Sequence, residues 1–148
     1  NLIVGPVIAD AMFVTVQKEV ADRMISPPGI KDYGILSILM AATGEVKHIR
    51  TLKPTVFWPQ PQVNSAFVSY VRDAEKIKGI KSSEMLSRVA GALLQHRRKM
   101  LKSCCRLTAD QLGKINWPEI FNQLGIDPEI RPDNLSPEQF VSIANLCC

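Results

Sequence analysis

The chain has 148 residues, 46% of them hydrophobic and 22% charged, with a formal net charge of +4. This is enough apolar material for one ordinary domain or two small ones, and it argues against disorder. The sustained apolar stretches, Leu2–Ile8 broken by Gly5 and Pro6 and Ile35–Ala42 broken by Ser37, fall far short of the roughly 20 residues a membrane helix needs, so none can span a bilayer as a helix.

The N-terminus shows no basic region leading into a long apolar core, so no secretory signal is read and the cytoplasm is the expected location. Ala11–Val16 is a short β-branched apolar run, the pattern of a buried strand. Gln17–Ile25 follows as a helix that Pro27, Pro28 and Gly29 terminate. Gly34–Ala42, Lys47–Leu52 and Ala66–Val71 read as further strands, the last bounded by a proline-rich loop. Residues 76–82 have the polar character of a linker, which divides the chain into a mixed α/β part over 1–75 and a helical part over 83–148.

Four helices are predicted in the second part: Ser83–Arg106, Ala109–Lys114, Trp117–Leu124 and Pro137–Leu146. Thr108 with Gln111, and Ser136 with Gln139, have the capping-box spacing, in which a hydroxyl and an amide satisfy free backbone donors. Asn116 with Glu119 is a looser third case, and Gly125 ends the third helix. On the first helix Leu86, Val89, Ala90, Leu93, Met100 and Leu101 form one stripe, and at about 100° per residue Arg97 falls inside it. A guanidinium aimed inward needs a carboxylate, carbonyls or phosphate, because an unpaired buried charge is costly. Arg97 is therefore either a structural clamp or a phosphate ligand, whereas Arg98, Lys99 and Lys102 lie off the stripe and suit an RNA backbone.

Charge is uneven along this half. From Lys81 to Lys114 eight Lys or Arg face two acids, and from Ile115 onward one Arg faces five acids. A local basic face suits an anionic partner. The cysteines form two adjacent pairs, Cys104-Cys105 and Cys147-Cys148, without the two-residue gap of a shared zinc site, so reduced, packed thiols are expected and no metal. His48 and His96 have no acid or nucleophile beside them and read as surface or packing residues.

Three blocks carry a resemblance: Gln17-Lys18-Glu19-Val20-Ala21-Asp22-Arg23, then Phe57-Trp58-Pro59-Gln60-Pro61-Gln62-Val63-Asn64-Ser65-Ala66, then His96-Arg97-Arg98-Lys99. Tyr33-Gly34, Leu36-Ser37 and a C-terminal run of Gly125-Ile126-Asp127-Pro128, Arg131-Pro132, Leu135-Ser136 and Gln139-Phe140 add to them in order. Together they resemble the dimethyladenosine transferases of small-subunit ribosomal RNA, the kasugamycin-resistance methyltransferases, over nearly the whole chain. The resemblance implies an α/β fold: the C-terminal end of a Rossmann-like methyltransferase sheet, with Ala11–Val16 as its fifth strand, followed by a small all-α helical domain that docks on RNA. It also implies methyl transfer from S-adenosylmethionine to adenine in the small ribosomal subunit.

The family's glycine-rich cofactor turn and its Asn-Leu-Pro-Tyr type motif are not in this sequence, where Asn1-Leu2-Ile3-Val4 lacks the proline and the aromatic and Asn1 reads as lying after the missing motif. No cofactor-binding residue is therefore assigned, and the chain alone is expected to be inactive. Phe57 matches the family's aromatic at the rim of the adenine pocket, where a flipped base is stacked, though an ordinary packed phenylalanine beside Trp58 is the alternative. Gln17, Lys18 and Arg23 either face RNA or form a solvated helix face. Gln62 and Asn64 stand where the family carries a lysine and an aspartate, which puts ionic roles there in doubt.

Three functions stay open: the C-terminal part of an RNA adenine dimethyltransferase, a non-catalytic RNA- or ribosome-binding module, and a protein-interaction domain on the same scaffold. RNA engagement through Arg97, Arg98, Lys99, Lys102 and Arg106 implies a log-log salt slope of roughly −4. A chain that starts at the fifth strand should also leave a bare strand edge and apolar faces, and so self-associate or be poorly stable.

Overall fold

The computed structural model describes residues 2–3 and 8–148, so the reading of Asn1 and most of the Leu2–Ile8 stretch lies outside the described residues. Three strands, β1 (Ala11–Gln17), β2 (Gly44–Leu52) and β3 (Ser65–Arg72), form one sheet in the order β1-β3-β2. Both pairings are antiparallel, and β2 carries a register shift between His48 and Arg50. Alternation decides which face is inside. Ala66, Val68 and Tyr70 of β3, flanked by Met12, Val14, Val16 and Val46, pack against Ala21 and Met24 of α1 (Lys18–Ile25). The opposite face has no such cover among the described residues, and Phe13 and Val71 there are 65% and 50% exposed.

Residues 34–42 were expected as a strand and are a helix, α2 (Ile35–Thr43). The mainly apolar run that suggests a strand belongs instead to a helix packed on two sides. Ile38 and Ala42 enter the helical core, while Met40 enters the core under the sheet. Its start is fixed by Ser37, whose Oγ accepts the Gly34 N–H at 3.1 Å and donates to the Arg23 carbonyl at 2.5 Å. α2 runs into β2 without a loop, and at the junction Gly44 lies so close to β3 that a Cβ would stand 2.4 Å from the Val71 carbonyl oxygen and 2.6 Å from the Tyr70 ring.

α3 (Ala74–Lys78) is capped by Asp73, whose Oδ1 accepts from the Glu75 and Lys76 backbone N–H groups, so helix extends across the start of the 76–82 stretch. Asn145 then holds the end of this segment, accepting from the Lys81 N–H at 2.9 Å and donating to the Gly79 carbonyl at 2.6 Å.

The predicted Ser83–Arg106 helix is two helices, α4 (Ser83–Leu94) and α5 (Leu101–Leu107). Tertiary contacts override the local pattern here. The Leu101 and Lys102 N–H groups bond to the Ile130 and Pro128 carbonyls rather than to the preceding turn, and Met100 is extended. α6 (Ala109–Leu112) is shorter than expected, whereas α7 (Trp117–Leu124) and α8 (Pro137–Leu146) have their predicted bounds. Ser136 and Gln139 make both bonds of a capping box.

Thr108 does not cap: its side chain is fully buried and its hydroxyl donates back to the Cys105 carbonyl at 2.9 Å. Asn116 likewise spends its side-chain amide on Glu119 rather than on the helix backbone. Leu86, Val89 and Leu93 of α4, with Leu101 of α5, Phe121 of α7 and Phe140 of α8, build the larger core. Tyr33 belongs to it and donates its hydroxyl to the Leu135 carbonyl at 2.8 Å.

Candidate nucleic-acid interface

One end of the sheet gathers the first cluster of sequence-predicted residues. Gln17 ends β1 opposite Ser65, and Leu52 ends β2 opposite the same residue, so the proline-rich loop 53–64 projects from the end where α1 begins. The Lys18 N–H bonds to the Asn64 carbonyl at 2.9 Å, which ties the foot of the loop to the first residue of α1. A 3-10 turn at Pro54–Val56 opens the loop, and the Phe57 N–H closes it on the Pro54 carbonyl. Phe57 is half-buried, while Trp58, joined to Pro59 by a cis peptide bond, is 96% exposed.

Two adjacent aromatics in such a loop offer one anchored ring and one free ring for stacking. The sequence singles out Phe57 and offers Trp58 only as its neighbour. The signal for Trp58 lay in its surroundings, since Pro59 and Pro61 leave an indole there little chance of joining a core.

Gln17 and Lys18 are exposed at this end, and Arg23 lies five residues along α1. Lys18 pairs with Asp22 at 2.6 Å and Arg23 with Glu19, both across one helical turn on the surface. Exposed pairs of this kind are worth less than about 1 kcal/mol, so phosphates can displace the carboxylates.

The second cluster occupies the turn between α4 and α5. Arg97 lies in the turn between the two helices rather than on the predicted helical stripe, and its side chain is 34% exposed. Its guanidinium donates to the Lys31 and Ile30 carbonyls at 3.1 and 3.4 Å and to Asp133 at 3.2 Å. It therefore binds three chain segments together. Arg98 and Lys99 are exposed and have no acidic partner among the described residues, and Lys102 pairs with Glu129 at 2.5 Å. The two clusters stand on different elements, one at the sheet end and one beside the 128–130 segment.

Nucleophilic chemistry has no support from the thiols. Burial pushes the Cys105 thiol up to about 12, with Cys104 adding to the effect, and burial pushes Cys147 up to about 11. Raised thiols keep the folded state protonated while unfolded thiols ionise. The stabilisation they carry is thus present below about pH 9 and is lost as pH climbs through 9 towards 12. At pH 8 iodoacetamide is expected to modify the exposed Cys148 first and to leave Cys105 unmodified until the chain unfolds, as peptide mass mapping would show. Fast labelling of Cys105 in the native chain would refute this.

A glycine turn between a strand and a helix is a common cradle for the phosphates of a nucleotide. The described glycines with positive φ are Gly29, Gly113 and Gly125, all in loops away from the sheet, and β1 passes into α1 through Gln17 and Lys18. Among the described residues no strand passes into a helix through such a turn.

A family model described as "Ribosomal RNA adenine dimethylase" matches residues 4–147. Among curated relatives, the Ribosomal RNA small subunit methyltransferase A of Halothermothrix orenii is 37% identical over 135 residues, covering 90% of this chain and 45% of the relative. The protein of the same name from Lawsonia intracellularis is 37% identical over 130 residues, covering 87% of this chain and 46% of the relative. The chain thus spans about half the length of the curated relatives it matches.

Two solved structures share the fold. A dimethyladenosine transferase from Plasmodium falciparum has a TM-score of 0.79 at 19% identity, over 94% of this chain and 57% of that one. The 23S rRNA methyltransferase ErmE has a TM-score of 0.61 at 14% identity, over 95% and 55%. The blocks around Gln17–Arg23, Phe57–Ala66 and His96–Lys99 thus lie inside a match that runs almost from end to end, and the chain belongs to the ribosomal RNA adenine dimethylase family.

Proposed function

We propose that this chain supplies the substrate side of a ribosomal RNA adenine dimethyltransferase that uses S-adenosylmethionine and acts on the small subunit in the cytoplasm. In this reading residues 1–75 complete a Rossmann-like methyltransferase sheet, 76–82 join the two parts, and 83–148 dock on RNA. The observation that carries it is the family match over residues 4–147.

Phe57 stacks on the flipped adenine, with Gln17, Lys18 and Arg23 facing RNA near the loop. Arg98, Lys99 and Lys102 meet phosphates beside α5, and Arg97 holds their turn in place. Methyl transfer to an exocyclic amine requires the amine to be aimed rather than deprotonated by a strong base, so stacking and positioning are the contribution of these residues. The edge of β1 that pairs with no strand among the described residues and the Phe13–Val71 face supply a surface for self-association of the isolated chain.

The test is transfer of labelled methyl from S-adenosylmethionine to unmethylated small ribosomal subunits, by the 148 residues and by the natural gene product in parallel. Transfer by the gene product alone is expected; transfer by neither would leave the binding-module reading. In the active protein Phe57→Ala is expected to lower kcat/KM about 30-fold, in line with one lost base stack, whereas Phe57→Tyr keeps most of the activity. Equal loss in both variants would remove stacking as the role.

A further inference from the structure

We propose that the open cavity between α5, α6, α7 and the loops that flank α7 binds a single unpaired nucleotide of RNA, its base against the apolar wall and its phosphates on Arg106 and Lys114. The proposal rests on the RNA reading above and assigns a second, separate grip on that RNA. The cavity measures about 900 Å³. An open concavity of several hundred cubic ångströms has the size of a ligand pocket.

Its walls are apolar, with Cys105, Ile115 and Ile126 beside Trp117 and Phe121. The two aromatic rings are stacked, their centroids 5.8 Å apart. Three cations line the same space, Lys102, Arg106 and Lys114, against one acid, Asp127. Lys102 is already held by Glu129, and Asp127 accepts the Glu129 N–H at 2.8 Å. Arg106 and Lys114 have no acidic partner among the described residues.

An apolar ligand would leave these two charges without a counterpart, and a small anion would leave the interior empty. A flat apolar body joined to an anion satisfies both, and aromatic walls favour a π-face over an alkyl chain. The charges also continue the exposed cations Arg98 and Lys99 along the same stretch of chain, which favours a polyanion over a lone carboxylate. A nucleotide pushed out of an RNA helix has this chemistry, with a strand to either side for the remaining cations.

The experiment compares a fluorescein-labelled hairpin RNA carrying one bulged nucleotide with the same hairpin fully paired, by anisotropy at low salt. The wild-type chain is expected to bind the bulged RNA about tenfold more tightly. Ala109→Trp fills the cavity mouth from an exposed position, and Arg106→Glu reverses the charge there without touching the core. Both are expected to reduce the preference to near equality while the urea midpoint stays in place.

Equal binding of the two RNAs by the wild type, or an undiminished preference in both variants, would overturn the cavity site and leave the RNA reading intact. No binding of either RNA would overturn the RNA reading and this proposal together. Capture of a polyglutamate peptide in place of RNA, blocked by Ala109→Trp, would overturn the nucleotide assignment in favour of a peptide.

Discussion

Replacing Gly44 by alanine is expected to destabilise the chain by about 3 kcal/mol, the upper end of what one added methyl costs in a site that cannot yield. Gly44 has φ −174°, an extended backbone open to any residue, so the effect comes from collision alone. The new Cβ would meet the Val71 carbonyl oxygen at 2.4 Å and two carbons of the Tyr70 ring at 2.6 and 2.8 Å. Neither neighbour is a flexible side-chain tip. The carbonyl is part of β3, and the tyrosine is 1% exposed with its hydroxyl bonded to Thr43 Oγ1 at 2.9 Å. Urea unfolding followed by circular dichroism would show a lower midpoint at an unchanged slope. A shift below about 0.5 kcal/mol, the range of an ordinary surface substitution, would mean that β2 and β3 can separate at this end without loss.

The second large effect is at Tyr33. Tyr33→Ala is expected to cost about 3–5 kcal/mol, as for a large aromatic removed from a core, whereas Tyr33→Phe removes only the bond to Leu135 and should cost about 1 kcal/mol. The ring is 1% exposed and packs in the helical core although it precedes α2 in the first half of the chain. Burial, with Glu138 adding to it, holds the phenol far above its ordinary range, so the hydroxyl stays a donor throughout the folding range of pH. Equal costs for the two variants would place the energy in the hydrogen bond rather than in volume.

Much of the architecture was legible where periodicity and punctuation agreed. Ala66–Val71 is a short aromatic and β-branched run that follows a proline-rich loop, and Ser136 with Pro137 and Gln139 announces a helix start. Residues 34–42 misled because a short, mainly apolar run of Ile, Leu and Met satisfies both a buried strand and a helix wedged between two cores. The break after Leu94 was invisible for another reason. Its cause is the Pro128 and Ile130 carbonyls, which take the first donors of α5 from nearly thirty residues away.

At the site, the loop around Phe57 was legible through its prolines, and the demand of Arg97 for carboxylate or carbonyl partners through its charge, although the helix assumed to carry it is broken there. The partners themselves were not, since Ile30, Lys31 and Asp133 come from two distant segments. The cavity left no trace in any single window, because three helices and two loops each contribute part of its wall.

The direct passage from α2 into β2 has a mechanical consequence. Thr43 and Gly44 are consecutive, so no loop residue lies between a helix wedged into the helical core and the strand whose far end carries Phe57 and Trp58. A tilt imposed on the helical part by a bound polymer has no slack to dissipate in at that joint. It is passed as a push or twist along nine residues of β2 to the aromatic loop, making the strand a connecting rod between the two ends of the molecule.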